Sequence, residues 1–179
     1  SVSYDGSLSV DLTGLISSAK ETPFVRAATL DIVSAGAGQP DYRAFIYQET
    51  AVQRSYLAFV ATNQRGNLVA TSVADGGQFN EHNAGGNYYR TGSYTKPIIT
   101  AGIENGLFAY MGSYAGIFVP GPTTDFVRPP GLRPGSPLRV TGTMQVNASF
   151  QDDMIEGGVV DRAIWDDAGN QITQLVLTS

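Results

Sequence analysis

Cysteine is absent from this chain of 179 residues, and histidine occurs once, at His82. The absence of cysteine excludes disulfides, thiolate metal sites and thiol nucleophiles. A single histidine excludes a metal site built on several imidazoles. A Ser-His-Asp triad would have to use His82, and no nearby serine has the glycine flanks of a nucleophile elbow. We therefore expect no enzyme activity, no metal and no cofactor.

Charge is also scarce, at 15% of the residues against about 25% in an average soluble domain. Lysine occurs only at Lys20 and Lys96, and the net charge is −5. Too little positive charge is present to neutralise a phosphate backbone, so nucleic acid is not an expected partner. No apolar run approaches the about 18 residues of a transmembrane helix. The chain begins with Ser1 rather than Met, which leaves room upstream for a signal peptide or a lipid-bearing cysteine.

The carboxylates occur as two adjacent pairs, Asp152-Asp153 and Asp166-Asp167. A glycosidase would need two such groups facing each other across a cleft. The segment 166–170 has oxygen ligands at a spacing that suits Ca²⁺, but it lacks the twelve-residue calcium-loop pattern. Asp is favoured in turns because its side chain caps them, so we interpret both pairs as turn residues.

Glycine, in contrast, is abundant, at 21 residues or about 12% of the chain. Long helices would not tolerate this composition, whereas short strands and turns would use it. Apolar and polar residues alternate in many segments, which is the period of a β-strand. The predicted fold is all-β and antiparallel, with roughly ten short strands at 1–12, 24–34, 42–50, 53–62, 68–73, 88–95, 107–119, 138–150, 154–165 and 171–177.

A glycine- and asparagine-rich joint at 74–87 divides the chain in two. The sequence predicts a smaller, handle-like N-terminal β subregion at 1–80 and a β-barrel region at 86–179. Glycines inside the later strands favour a barrel, because they allow bulges and tight bends. Completion of this barrel by residues beyond Ser179, by the N-terminal strands or by another chain stays open.

Aromatic side chains cluster in about thirty residues after the joint, at Tyr88, Tyr89, Tyr94, Tyr110, Tyr114 and Phe118. Ordinary packing in the barrel wall is one explanation. A partner-binding surface is another, since Tyr is enriched and charge is depleted there. The segment 120–137 contains six prolines and is predicted to be a surface loop. The candidate binding residues are Tyr88, Tyr89, Tyr94, Phe126, Arg128 and Arg133.

Residues Tyr110 to Tyr114 consist of an aromatic, any residue, Gly, any residue and an aromatic, and the later strands contain Ser149-Phe150 and Gly157-Gly158. In these motifs the segment 68–165 resembles the barrel of the transferrin-binding-protein-like surface lipoproteins of Gram-negative bacteria. In that family Asp-Phe is usual at the place of Ser149-Phe150, and one central Gly of the return strand at the place of Gly157-Gly158. The resemblance implies a non-enzymatic protein, at the outer membrane surface or secreted, that binds a protein partner or small solute through barrel loops.

An alternative function is structural. Glycine-rich strands and unpaired sheet edges would also suit a homo-oligomeric subunit of an extracellular fibre, a surface layer or a phage-like particle. If the chain is a binding protein, we expect truncation of Tyr110 or Tyr114 to harm folding. Changes in the 120–137 loop should instead harm partner binding.

Overall fold

The computed structural model describes residues 2–10, 22–34, 41–49, 54–63, 68–75, 84–96, 98–99, 106–119 and 137–173. These residues form ten strands, one short 3-10 helix (Ala28–Leu30) and no α-helix. The strands are β1 (Val2–Tyr4), β2 (Leu8–Val10), β3 (Thr22–Arg26), β4 (Arg43–Glu49), β5 (Arg54–Thr62), β6 (Leu68–Asp75), β7 (Ala84–Arg90), β8 (Leu107–Phe118), β9 (Leu138–Ser149) and β10 (Met154–Trp165). All their pairings are antiparallel. The all-β, antiparallel prediction is confirmed.

The strands form two sheets. Strands β1 to β7 pair in chain order as one seven-stranded meander, and β8, β9 and β10 form a second sheet with β9 in the middle. The predicted boundary at 80–86 falls inside the first sheet, because β7 pairs with β6 along its whole length. The chain changes sheet between Arg90 and Leu107.

Strand β5 is an interior strand of the first sheet and is buried on both faces. Its residues 56–61 are all at most 8% exposed, and such a continuous apolar run is typical of a strand that lies between two packed layers. One side, here called the inner face, carries an apolar cluster, and the outer face carries a second. The inner cluster contains Leu8, Phe24, Phe45, Tyr56, Ala58 and Val60. The outer cluster contains Ile32, Ala44, Leu57 and Phe59.

The first sheet curls around its inner face until its two end strands meet. The Tyr89 hydroxyl of β7 donates a hydrogen bond to the Tyr4 carbonyl oxygen of β1 at 3.4 Å. The Tyr4 ring packs edge-on against Phe45, with 6.0 Å between ring centroids. Arg43 donates to the Tyr4 hydroxyl at 3.2 Å. This curled sheet is N-terminal and includes the region predicted to be the smaller handle.

The second sheet covers the outer face of the first. Ala115 and Ile117 of β8 pack against the outer cluster. The Tyr42 hydroxyl donates to the Ser113 carbonyl oxygen at 2.5 Å, which joins the two sheets at this point.

Arg139 of β9 is 9% exposed and donates to the Asp166 carbonyl oxygen at 2.9 Å. Burial lowers the pKa of Arg139, and the negative charges of Asp167 and Asp166 oppose this effect.

The second sheet is open in the part of the chain that the structure describes. Strand β8 pairs there only with β9, and β10 adds to its β9 pairing a single bridge from Trp165 to Gln171.

Two of the glycines that favoured the barrel prediction serve local packing instead. The Tyr114 ring covers Gly116, and Gly142 lies opposite the bulge that β10 forms at Asp161, where φ is +53°.

Four predicted strands differ from the structure. The strand predicted at 88–95 starts earlier and ends earlier, as β7 at Ala84–Arg90. The segment 1–12 contains a hairpin, because Gly6 adopts a φ of +112° and Asp5 accepts a hydrogen bond from the Ser7 amide at 3.0 Å. The segment 24–34 leaves the sheet after Arg26, since the Asp31 carboxylate binds that guanidinium and draws the chain into the 3-10 helix. In 171–177, Ile172 donates to the Ile164 carbonyl oxygen at 2.9 Å, and 174–177 lie outside the described residues.

Alanine substitutions should separate the glycines that the second sheet requires from one that it does not. A Cβ at Gly157 would overlap the Gln145 carbonyl oxygen, and one at Gly142 would lie 2.9 Å from the Val160 carbonyl oxygen. We expect Gly157→Ala and Gly142→Ala to lower the free energy of unfolding in urea by about 1–3 kcal/mol. Gly158→Ala is the matched control, because its Cβ would meet nothing within 4 Å. Equal losses at all three positions would contradict this packing.

The turn after β10 should make stability depend on pH. Partial burial raises the pKa of Asp166, but hydrogen bonds from Asn170, Ala168 and Gly169 outweigh it and lower the pKa. A depressed pKa stabilises the fold above the unfolded value of about 3.9, and this contribution disappears as the pH falls through the folded pKa. We expect Asp166→Asn to unfold at lower urea concentration than the wild type at pH 7. The difference should shrink as the pH falls below the unfolded value of about 3.9; a pH-independent difference would contradict the assignment.

Candidate binding surface

Strand β7 divides the predicted tyrosine cluster between its two faces. Tyr89 lies opposite Val69 and packs, partly buried, against the inner cluster. Tyr88 lies on the outer face and is 60% exposed. Because side chains alternate along a strand, Arg90 is on the same face as Tyr88. Tyr89 therefore stabilises the curl of the sheet, while Tyr88 and Arg90 face outwards.

Tyr94 joins these two side chains although it lies beyond the end of β7. The Arg90 guanidinium carbon is 5.6 Å from the centroid of the Tyr94 ring, and Tyr94 is 62% exposed. At an exposed site this cation–π contact contributes about 0.5–1 kcal/mol. It holds the Tyr94 ring beside the strand rather than in free solution. We call the group formed by Tyr88, Arg90 and Tyr94 the β7 surface.

The segment that follows Tyr94 connects the β7 surface to the second sheet. The Lys96 ammonium lies 3.4 Å from the Asp153 carboxylate in the β9–β10 turn. Both side chains are mostly exposed, at 54% and 84%, so the pair contributes little to stability. The contact shows that the segment after β7 lies beside the β9–β10 turn of the second sheet.

Two of the six predicted binding residues, Tyr88 and Tyr94, lie together on the β7 surface. Tyr89 belongs to the core, and its role is structural. Phe126, Arg128 and Arg133 lie outside the described residues, as does the rest of the 120–136 segment. Arg90 was not predicted, although the two-residue period of β7 places it beside Tyr88.

The two tyrosines of the Tyr110-to-Tyr114 pattern also differ from each other. Tyr114 covers Gly116 and packs against the cluster formed by Leu138, Val140, Ile164 and Ile172. Tyr110 is 46% exposed. The expectation that truncation harms folding therefore applies to Tyr114 and is not supported for Tyr110.

The carboxylate pairs lie in turns, as predicted. The Ser149 hydroxyl donates to the Asp152 carboxylate at 2.8 Å and accepts from the Asp152 amide at 3.2 Å, which caps the β9–β10 turn. The Asp166 carboxylate accepts from the Asn170 amide at 2.7 Å. His82 lies outside the described residues. Among the residues that are described, no three His, Cys, Asp or Glu side chains lie close enough together to hold a metal ion.

The comparisons with known proteins add no family. No protein-family model, no curated protein and no solved structure matches this chain. The described part of the chain also contains no helix of the length and apolar character needed to cross a membrane. A function for this chain must therefore be argued from its own surfaces.

Proposed function

We propose that this chain is a non-enzymatic binding protein of the cell envelope or the extracellular space that recognises a protein partner through the β7 surface. The observation that carries the proposal is the exposed Tyr94 ring against the Arg90 guanidinium, with the exposed Tyr88 on the same face of β7 as Arg90. Tyrosine and arginine dominate the energetically important positions of protein interfaces. A chain with few charges that exposes these three side chains on β7 and the segment just after it resembles an interface core more than a solvated surface.

The arrangement also favours recognition over packing within the chain. A tyrosine that is about 60% exposed contributes little apolar burial to its own fold. The backbone of β7 is held by seven register pairs with β6, so the surface is presented with little loss of conformational freedom on binding. Aromatic side chains that are already held in place lose less conformational entropy on binding, so they contribute affinity without a large interface area.

The finer features of the proposal come from the resemblance to transferrin-binding-protein-like surface lipoproteins. They are a closed barrel in the region 86–179, a lipid anchor upstream of Ser1, and a location at the outer membrane surface or outside the cell. The three twelve-residue strands of the second sheet and the bulge at Asp161 support a curved wall. Loop residues Phe126, Arg128 and Arg133 remain predicted contributors to partner binding.

A quantitative capture experiment tests the binding function. The immobilised full chain is incubated with animal serum and, separately, with an outer-membrane extract, and bound proteins are measured by mass spectrometry. We expect the double variant Tyr88→Ala and Tyr94→Ala to lose at least about tenfold of the captured partner, since each interface anchor contributes about 2 kcal/mol. Circular dichroism and urea unfolding should be unchanged.

The matched control is the double variant Val25→Ala and Ile46→Ala. These two apolar side chains lie opposite each other on β3 and β4 and are 66% and 42% exposed. We expect this variant to capture the partner as the wild type does. Equal capture by the wild type and the Tyr88 and Tyr94 variant would contradict the assignment of the β7 surface.

A further inference from the structure

Strand β8 is an edge strand without the usual protection against pairing. It pairs with β9 through all twelve of its residues, and no other strand runs beside it in the ranges the structure describes. The strand contains no charged residue and no proline. Natural edge strands are normally protected by charges, prolines, bulges or short length, and β8 has none of these features.

The other edge of the same sheet shows the contrast. Strand β10 has the same length but carries Glu156, Asp161 and Arg162. A bulge between Val160 and Ala163 also breaks its register with β9. Charges and a bulge both oppose the addition of another strand. The two edges of this sheet therefore differ in charge and in regularity, which are features that control edge-to-edge association.

The uncovered half of β8 is apolar on both faces. Leu107 and Met111, on the face that continues to Ala115, are 54% and 69% exposed. Tyr110, on the opposite face, is 46% exposed. Among the described side chains, Ala115 and Ile117 in the later half of the strand pack against the outer cluster of the first sheet. The earlier half, residues 107–112, extends for about 20 Å. Leu107, Tyr110 and Met111 are exposed there, while Phe108 packs edge-on against Phe150.

Gly112 marks the position where another strand would fit. A Cβ at Gly112 would meet nothing closer than the Met144 methyl carbon at 3.8 Å, whereas one at Gly116 would clash with the Tyr114 ring. The packing of the chain itself therefore does not require glycine at position 112. The space beside it can accept a large side chain from a neighbouring strand.

We propose that two copies of this chain associate by antiparallel pairing of their β8 strands around Tyr110. A two-fold axis perpendicular to the sheet keeps each face of one strand on the same side as that face of the other. Tyr110 then lies opposite Tyr110 of the second copy, Phe108 opposite Gly112, and Ala109 opposite Met111. Large side chains meet small ones at each position away from the axis, which is the arrangement that packs well.

Charge favours a second copy as the occupant. Because β8 is uncharged, self-pairing places no like charges opposite each other. The result is one six-stranded sheet in the order β10, β9, β8, β8, β9 and β10, with the protected β10 strands at its outer edges. Because the two β8 strands run antiparallel, the seven-stranded first sheet of one copy and that of the other lie at opposite ends of the dimer. This surface differs from the β7 surface and does not depend on the proposed partner.

Single-cysteine crosslinking tests the proposed register, and the absence of native cysteine makes it unambiguous. Opposed residues of antiparallel strands have Cα atoms about 4.5–5.5 Å apart, within the range of a disulfide. We expect Tyr110→Cys to form a covalent dimer on mild oxidation. The control Ile155→Cys is on β10 and 77% exposed, and should remain monomeric. Equal crosslinking of both variants, or none for Tyr110→Cys, would overturn the proposal.

A second variant tests the association without cysteine. Met111→Lys adds a charge to the exposed part of β8, and the control Gln145→Lys adds the same charge at its exposed neighbour on β9. In sedimentation experiments we expect Met111→Lys to weaken dimerisation at least tenfold, and Gln145→Lys to weaken it less. A wild-type chain that stays monomeric at about 0.1 mM, or a dimer insensitive to Met111→Lys, would contradict the proposal. Partner capture by Met111→Lys should remain, which separates this result from a failure of the β7 surface.

Discussion

The structure depends on the burial of both faces of β5. Five of its six central side chains lie in one of two apolar clusters, one inside the curl of the first sheet and one beneath the second sheet. Loss of a side chain such as Phe59 to alanine in such a layer costs about 3–5 kcal/mol, a large share of the stability of a domain this size. Both sheets are therefore held by one strand, and surfaces far from it remain free for other roles.

The proposed functional surfaces lie where this burial ends. β7 is the last strand of the first sheet, so only Tyr89 reaches the inner cluster while Tyr88 and Arg90 face outwards. β8 contacts the outer cluster with Ala115 and Ile117 alone, and its first half extends beyond that contact. Exposed aromatic and apolar side chains at the periphery of a well-packed centre are the usual pattern of association sites.

Strand periodicity made most of the fold predictable, because alternation and turn residues are local signals. Three features were not local. The departure of the chain after Arg26 depends on Asp31, which also accepts the Ala44 amide at 2.8 Å from the next strand. The roles of glycine depend on the neighbouring strand, as Gly142 shows at the bulge of β10. Tyr114 is partly buried because it packs against apolar side chains of β9 and β10, whereas Tyr110 on the same face of β8 is 46% exposed. That difference depends on neighbouring strands, and no periodicity within β8 predicts it.

Native-state hydrogen exchange measured residue by residue tests the central role of β5 most directly. If β5 holds both sheets, its amides at 56–61 should exchange only through global unfolding, because strands in the core open last. Amides in the halves of β8 to β10 that lie away from the first sheet should exchange through smaller local openings. Slower exchange in the first half of β8 than in β5, in a sample kept dilute, would contradict this account and place the stable centre in the second sheet.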